Sequence, residues 1–234
     1  MMLWLCPLVA FLLGSVPFGL LIAKARGVDI RRHGSGNIGA TNVLRVLGKK
    51  YGIPCLALDI LKGFVPTLLA INLIRFAGQP AGMGIPALMA WAWQFPAEGQ
   101  FTAQLLQVVS GLCAILGHNY SPWVGFKGGK GIATSAGVVI ALMPAAIVIL
   151  VTLWLVVFLT TRYVSVASIA AVVVLPVLTL YGSWHHGRLQ DGSWNKPLFG
   201  LSLAIAVLGV WKHRANIGRL MAGTENRFER KRKS

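Results

Sequence analysis

From Gly131 to Thr161 the chain carries no charged residue. As one straight α-helix this segment would be about 45 Å long, well beyond the ~30 Å hydrocarbon core of a bilayer. A break is needed, and Pro144, after Met143, supplies one, because proline removes a helix donor and clashes with the preceding turn. The positive-inside rule then chooses between one span and two. With one span, Lys and Arg divide almost evenly between the two faces. With two shorter helices turning at Pro144, only Arg75, Arg188 and Lys196 fall outside and Lys62 within a span, leaving 18 of the 22 Lys and Arg inside. The hairpin therefore predicts an all-α integral membrane protein with seven transmembrane helices, its N-terminus outside and its C-terminus cytoplasmic.

Composition agrees with that architecture. Of 234 residues, 56% are hydrophobic and 12% charged, whereas an ordinary soluble domain carries ~25% charged residues. The net charge of +16 fits loops facing anionic lipid headgroups better than a nucleic-acid surface. Cys6, Cys55 and Cys113 lie in apolar runs without CxxC spacing and read as packing residues. The first apolar run precedes Lys24 and Arg26 and lacks a positive n-region, which points to a retained first helix rather than a cleaved signal. We expect one membrane-embedded domain over residues 1–234, with a basic tail at 227–234 that anchors to anionic lipid.

The expected spans are 1–23, 51–74, 105–117 extended by 100–104, the pair on either side of Pro144, 163–181, and a short last span at 198–211. Asp59 and Lys62 are three residues apart on one face of the second span, placed to pair or to meet partners inside a bundle. Residues 75–104, rich in Gly, Pro and Trp, read as an external loop on or dipping into the interface.

This topology gathers four polar islands on the cytoplasmic face. The first, with Ser35, Gly36, Asn37, Asn42 and Arg45, has GxGxxG spacing, but no strand precedes it and Asp59 sits in an apolar span, so a dinucleotide site is excluded. What remains is a loop with free N–H groups followed by Arg45, whose planar fork suits phosphate oxygens. The second, GHNYSPWVGFKGGKGIATSAG, is not a Walker A loop, since Lys130 is followed by Gly131. It is an anion nest in which Gly128, Gly129, Gly131 and Thr134 are candidate phosphate contacts. Lys127 and Lys130 would neutralise a phosphate or the charge building on a departing one. His118, at the end of the third span, reads as a capping or interfacial residue.

The third island places Ser165 and Ser168 one helical turn apart. The fourth places His213 and Asn216 on one helical face, with Glu225 close behind. His213 is a candidate base or orienting group and Asn216 a donor to a carbonyl oxygen. His186 and Asp191 have HxxxxD spacing but fall in a loop assigned outside, away from the islands, and read as chance.

GSGNIGATNVLR, the glycine–lysine island and HRANIGRLMAGTEN, in that order, resemble the bacterial membrane acyl-phosphate:glycerol-3-phosphate acyltransferases of the PlsY type, and TRYVSVAS is similar to that family's serine-bearing segment. The resemblance implies transfer of a long-chain acyl group from acyl phosphate to the 1-position of sn-glycerol 3-phosphate in the bacterial inner membrane. It implies no cofactor, coenzyme A ester, carrier protein or metal. Ser35 and Arg45 become phosphate ligands, 127–131 the phosphate loop, and Ser165 or Ser168, His213 and Asn216 the groups around the reacting hydroxyl and carbonyl. Glu225 becomes a structurally required acid. No Ser/His/Asp triad is evident, which favours direct attack over an acyl-enzyme. The competing readings, an organic-phosphate transporter and a lipid-binding scaffold, leave the outer face too poor in polar groups in the first case and the serines, His213 and Asn216 without a task in the second.

Overall fold

The computed structural model describes residues 4–80 and 82–228; the expected start of the first span and the tail beyond Phe228 lie outside the described residues. The chain divides into two compact units. One comprises the described residues through Pro144 together with Asn195–Leu201, and the other Ala145–Trp194 with the described residues from Ser202 onward.

The first span is not one helix. It consists of α1 (Leu5–Ser15) and α2 (Phe18–Lys24), separated at Val16 and Pro17. Pro17 has no N–H to continue the ladder, and it forces Val16 into an extended conformation, with ψ 118°. After the short α3 (Ala40–Leu47), the 25-residue α4 (Lys49–Leu73) keeps Pro54 and Pro66 inside it. Asp59 and Lys62 form the expected ion pair within α4, at 2.8 Å and with both side chains buried. Taking away one partner of such a pair costs about 3–5 kcal/mol, because the other is left buried and uncompensated.

The segment expected as a plain external loop is more ordered than that. Strands β1 (Ile74–Phe76) and β2 (Trp93–Phe95) pair in parallel around a loop holding the one-turn α5 (Pro86–Met89), and Gln107 Nε2 donates to the Ile74 carbonyl at 2.6 Å. Strands of three residues leave no periodicity for a sequence to show. Helix α6 (Gln100–Asn119) follows, and α7 (Ile132–Leu142) packs against α4. Helix α7 ends at Leu142 and α8 (Pro144–Thr161) begins at Pro144, so the helix breaks at the expected point.

The second unit holds most of α8, α9 (Val164–His185), the latter part of α10 (Lys196–Lys212) and α11 (Arg214–Met221). Phe158 and Phe228 meet edge to face at 5.6 Å, and the Phe228 N–H donates to the Arg162 carbonyl at 3.1 Å, which folds the segment after α11 back onto the α8–α9 turn. Five helical segments among the described residues are long and apolar enough to cross a membrane, and α10 with α11, bent by 51°, makes a sixth. Helix α7, at 11 residues, is about 16 Å long and falls short of a full crossing by itself.

Helices α1 and α6 cross at van der Waals distance because Gly14 leaves room: a Cβ there would overlap the Ala114 carbonyl. Overpacking of this kind costs about 1–3 kcal/mol. Gly14→Val is accordingly expected to lower the melting temperature of the protein in detergent; an unchanged melting temperature would show that the crossing has slack.

Candidate active site

Within the first unit, the break in the first span is where the pieces meet. The last carbonyls of α1 have no helical partners and carry the negative end of the helix dipole. Lys62 Nζ donates to the Val16 carbonyl at 2.8 Å, and Ser121 Oγ to that of Ser15 at 2.6 Å. Ser15 Oγ donates to Leu12 and accepts from Trp123 Nε1 at 2.8 Å. Ser121 and Trp123 belong to the loop that precedes the lysines, so the glycine–lysine island is tied to the first span as well as to α6. A narrow recess opens here, with Asp59, Lys62, His118, Ser121 and Ile38 on its walls.

Ile38 belongs to the first island, which thereby reaches the same place; its carbonyl packs directly on Gly19 of α2. Val124, just ahead of the lysines, joins the apolar cluster that holds Ile38 and Val43. The first and second islands thus share one end of this unit. Asn42 does not face outward as a substrate ligand would. It is 1% exposed, its Nδ2 donates to the carbonyls of Ile30, His33 and Asn37, and its Oδ1 accepts from the Ser35 N–H at 2.9 Å. It shapes the loop that presents Ser35 and Gly36. Asn37 is engaged locally, its Oδ1 accepting from the Gly39 N–H at 3.1 Å, while Arg45 stands half-buried in the last turn of α3.

The second island is built differently from a loop whose N–H groups all point at an anion. The Gly129 N–H donates to the His118 carbonyl at 3.1 Å. A Cβ on Gly128 would overlap that carbonyl, and one on Gly129 would overlap His118 Nε2. These two glycines are needed for close approach to the end of α6. Gly131, with φ +82°, turns the chain into α7, whose first N–H groups then lie at a helix N-terminus, where anions are favoured. Lys127 is exposed and Lys130 half-buried. Thr134, expected at the phosphate, is instead fully buried where α7 crosses Gly63 of α4. His118 is not the interfacial residue that its helix-end position indicates; it is buried, with Nδ1 3.8 Å from Asp59 Oδ1. An acid and a lysine at i, i+3 in an apolar span were the signal that could have placed it in a buried polar set.

In the second unit the third and fourth islands meet on Glu225. Its Oε1 accepts from Ser165 Oγ at 2.9 Å and from Asn216 Nδ2 at 2.6 Å, and its Oε2 pairs with Arg219 Nε at 2.8 Å. Burial pushes the Glu225 carboxyl up, but the hydrogen bonds from Asn216, Ser165 and Arg219 and the charge of Arg219 outweigh it, so the group titrates below the usual glutamate range. Ser168 is engaged elsewhere, accepting from Trp154 Nε1 at 3.2 Å. His213 is 2% exposed at the junction of α10 and α11, and its Nδ1 lies 2.7 Å from the Gly209 carbonyl. A carbonyl only accepts, so Nδ1 carries the proton and Nε2 is the basic nitrogen of the neutral ring.

Long apolar helices of spanning length define a mostly helical integral membrane protein. The sequence pattern of glycerol-3-phosphate acyltransferases matches residues 4–223. Proteins of that name from Aquifex aeolicus and Geobacter metallireducens are 42% and 45% identical to this chain, over 94% of it and 95% and 94% of themselves. Crystal structures of the integral membrane glycerol 3-phosphate acyltransferase PlsY, in its glycerol 3-phosphate and lysophosphatidic acid forms, superpose with TM-scores of 0.75 and 0.73 at 37% and 36% identity, covering 98% of this chain and 96% of theirs. This chain belongs to the glycerol-3-phosphate acyltransferase family.

Because the Glu225 carboxyl is held low, its stabilisation is present above the ordinary glutamate pKa and is lost as pH falls through the lowered folded value. Glu225→Gln is expected to cost about 1–3 kcal/mol at neutral pH by leaving buried donors without a full acceptor. The gap in melting temperature from wild type closes as pH drops below the glutamate range. Coincident melting curves at pH 7 would contradict this assignment.

Proposed function

We propose that this protein transfers a fatty acyl group from acyl phosphate to the 1-hydroxyl of sn-glycerol 3-phosphate, giving lysophosphatidic acid and inorganic phosphate. The observation that carries the proposal is the match along almost the whole chain to a structure named for its glycerol 3-phosphate form. A counterpart named for its lysophosphatidic acid form supports the product. The active face is cytoplasmic in the bacterial inner membrane, in a single catalytic domain with seven crossings, the N-terminus outside and α7 as a short span. The spread of basic residues supports that orientation.

Acyl phosphate is an activated mixed anhydride, so the protein need only hold a hydroxyl near the carbonyl and stabilise charge on the departing phosphate. Ser35, Gly36, Asn37 and Arg45 serve the phosphate of one substrate; Gly131 and the first turn of α7, with Lys127 and Lys130, serve a second phosphate, while Gly128 and Gly129 set the loop against α6. Ser165 has its own proton directed at Glu225, which leaves its oxygen to accept from the attacking hydroxyl. Asn216, oriented by Glu225, polarises the carbonyl. His213 Nε2 takes the hydroxyl proton, or a substrate phosphate does so; the alkoxide-like oxygen forms the ester bond as the carbon–oxygen bond to phosphate breaks. Direct attack needs no acyl-enzyme, cofactor or metal.

Purified protein in detergent, given acyl phosphate and glycerol 3-phosphate, is expected to release phosphate in step with lysophosphatidic acid; no release would refute the reading. His213→Gln decides the destination of the proton. A fall of about 10²–10⁴ in kcat with KM unchanged assigns it to His213, and retained turnover assigns it to a substrate phosphate.

A further inference from the structure

The most unusual chemistry in the first unit lies outside the islands read as substrate contacts. Asp59, Lys62 and His118 are all buried among apolar helices. A buried charged pair is weak evidence for stability, since apolar residues of similar size are often as stable or more so. Lys62 and His118 face two different parts of the chain. Lys62 reaches the Val16 carbonyl at the break of the first span, and its ammonium also lies 5.6 Å from the centre of the Phe18 ring. Asp59 holds Lys62 and faces Nδ1 of His118. His118 presents Nε2 to Gly129 and its backbone carbonyl to the Gly129 N–H, and so backs the glycine loop from the protein side.

We propose that Asp59, Lys62 and His118 are positioning residues for acyl transfer, a buried polar set that sets the glycine loop and the broken first span in one geometry. Lys62 occupies the place that a bound cation would take at a helix C-terminus, and Asp59 compensates its charge. Asp59 lies beside the imidazole, 3.8 Å from Nδ1 and beyond hydrogen-bond distance, while the far nitrogen, against Gly129, fixes how closely the glycine loop approaches α6. The phosphate-facing surface of the loop is thereby held from behind by groups that touch no substrate. This inference rests on the phosphate-loop role proposed above.

The test separates positioning from simple stability through KM, which a reduced fraction of folded enzyme leaves unchanged. His118→Asn keeps a polar group near the Nδ1 position facing Asp59 and loses the one against Gly129; His118→Gln does the reverse. With purified full chain in detergent, His118→Asn is expected to raise KM for acyl phosphate, glycerol 3-phosphate or both by about tenfold, the worth of about one polar contact. His118→Gln is expected to stay within about threefold of wild type, the loop-side group being kept. Asp59→Val with Lys62→Met, which removes both charges and the Lys62 contact to the Val16 carbonyl, is expected to raise KM through the broken first span, and Lys62→Arg alone, which keeps the cation, to leave KM within about threefold of wild type. Melting temperatures in the same detergent report folding; where the double variant does not fold, the two His118 variants decide. Both KM values unchanged in His118→Asn, or His118→Gln as impaired as His118→Asn, would overturn the inference while leaving the function standing. A wild-type chain without turnover would instead remove both.

Discussion

A carboxylate and an ammonium buried 2.8 Å apart in an apolar helix set the terms for the unit around them. Neither ion is tolerable there without its partner, and neither is satisfied by the partner alone. Lys62 completes its contacts on the Val16 carbonyl, which also accepts from the Phe18 N–H, at the break that Pro17 makes in the first span. The proline break and the buried lysine therefore meet at one carbonyl. Once they are joined, Ser121 and Trp123 tie the second loop to the same two turns, and Ile38 brings the first loop against Gly19.

The glycine loop changes meaning in this setting. Glycine–lysine clusters are usually understood through the ligand, as a backbone free to wrap around phosphate. Here Gly128 and Gly129 are small because the protein is close, and only the part at Gly131 and the start of α7 keeps the form of an anion site. A loop fixed on one side by its own fold would carry less ordering cost in binding any ligand on the other.

Much of this was legible from the residues. Long uncharged runs, Pro144 and the Asp59–Lys62 spacing gave the helices, the break and the ion pair, because burial and helix period act through neighbours along the chain. The convergence of Ser165, Asn216 and Arg219 on Glu225 was not legible in its partners, since no local pattern says which donor a distant carboxylate will collect. The same holds for Asn42, where an exposed-looking polar motif conceals a side chain spent wholly on its own loop, and for Thr134, which helix packing turned inward. His118 was misjudged because its partner Asp59 is far away in sequence and close only after α4 and α6 pack. The paired strands of residues 74–76 and 93–95 are too short to carry a signal.

Glu225 lies beyond α11, C-terminal to every helix among the described residues, yet it is the acceptor on which Ser165, Asn216 and Arg219 converge. During synthesis Ser165 is made sixty residues ahead of the carboxylate that will accept its hydrogen bond. A nascent chain can therefore insert α8, α9 and α10 and still lack the acceptor that orders this half of the molecule. A chain ended anywhere before Glu225 would leave Ser165, Asn216 and Arg219 without this shared acceptor.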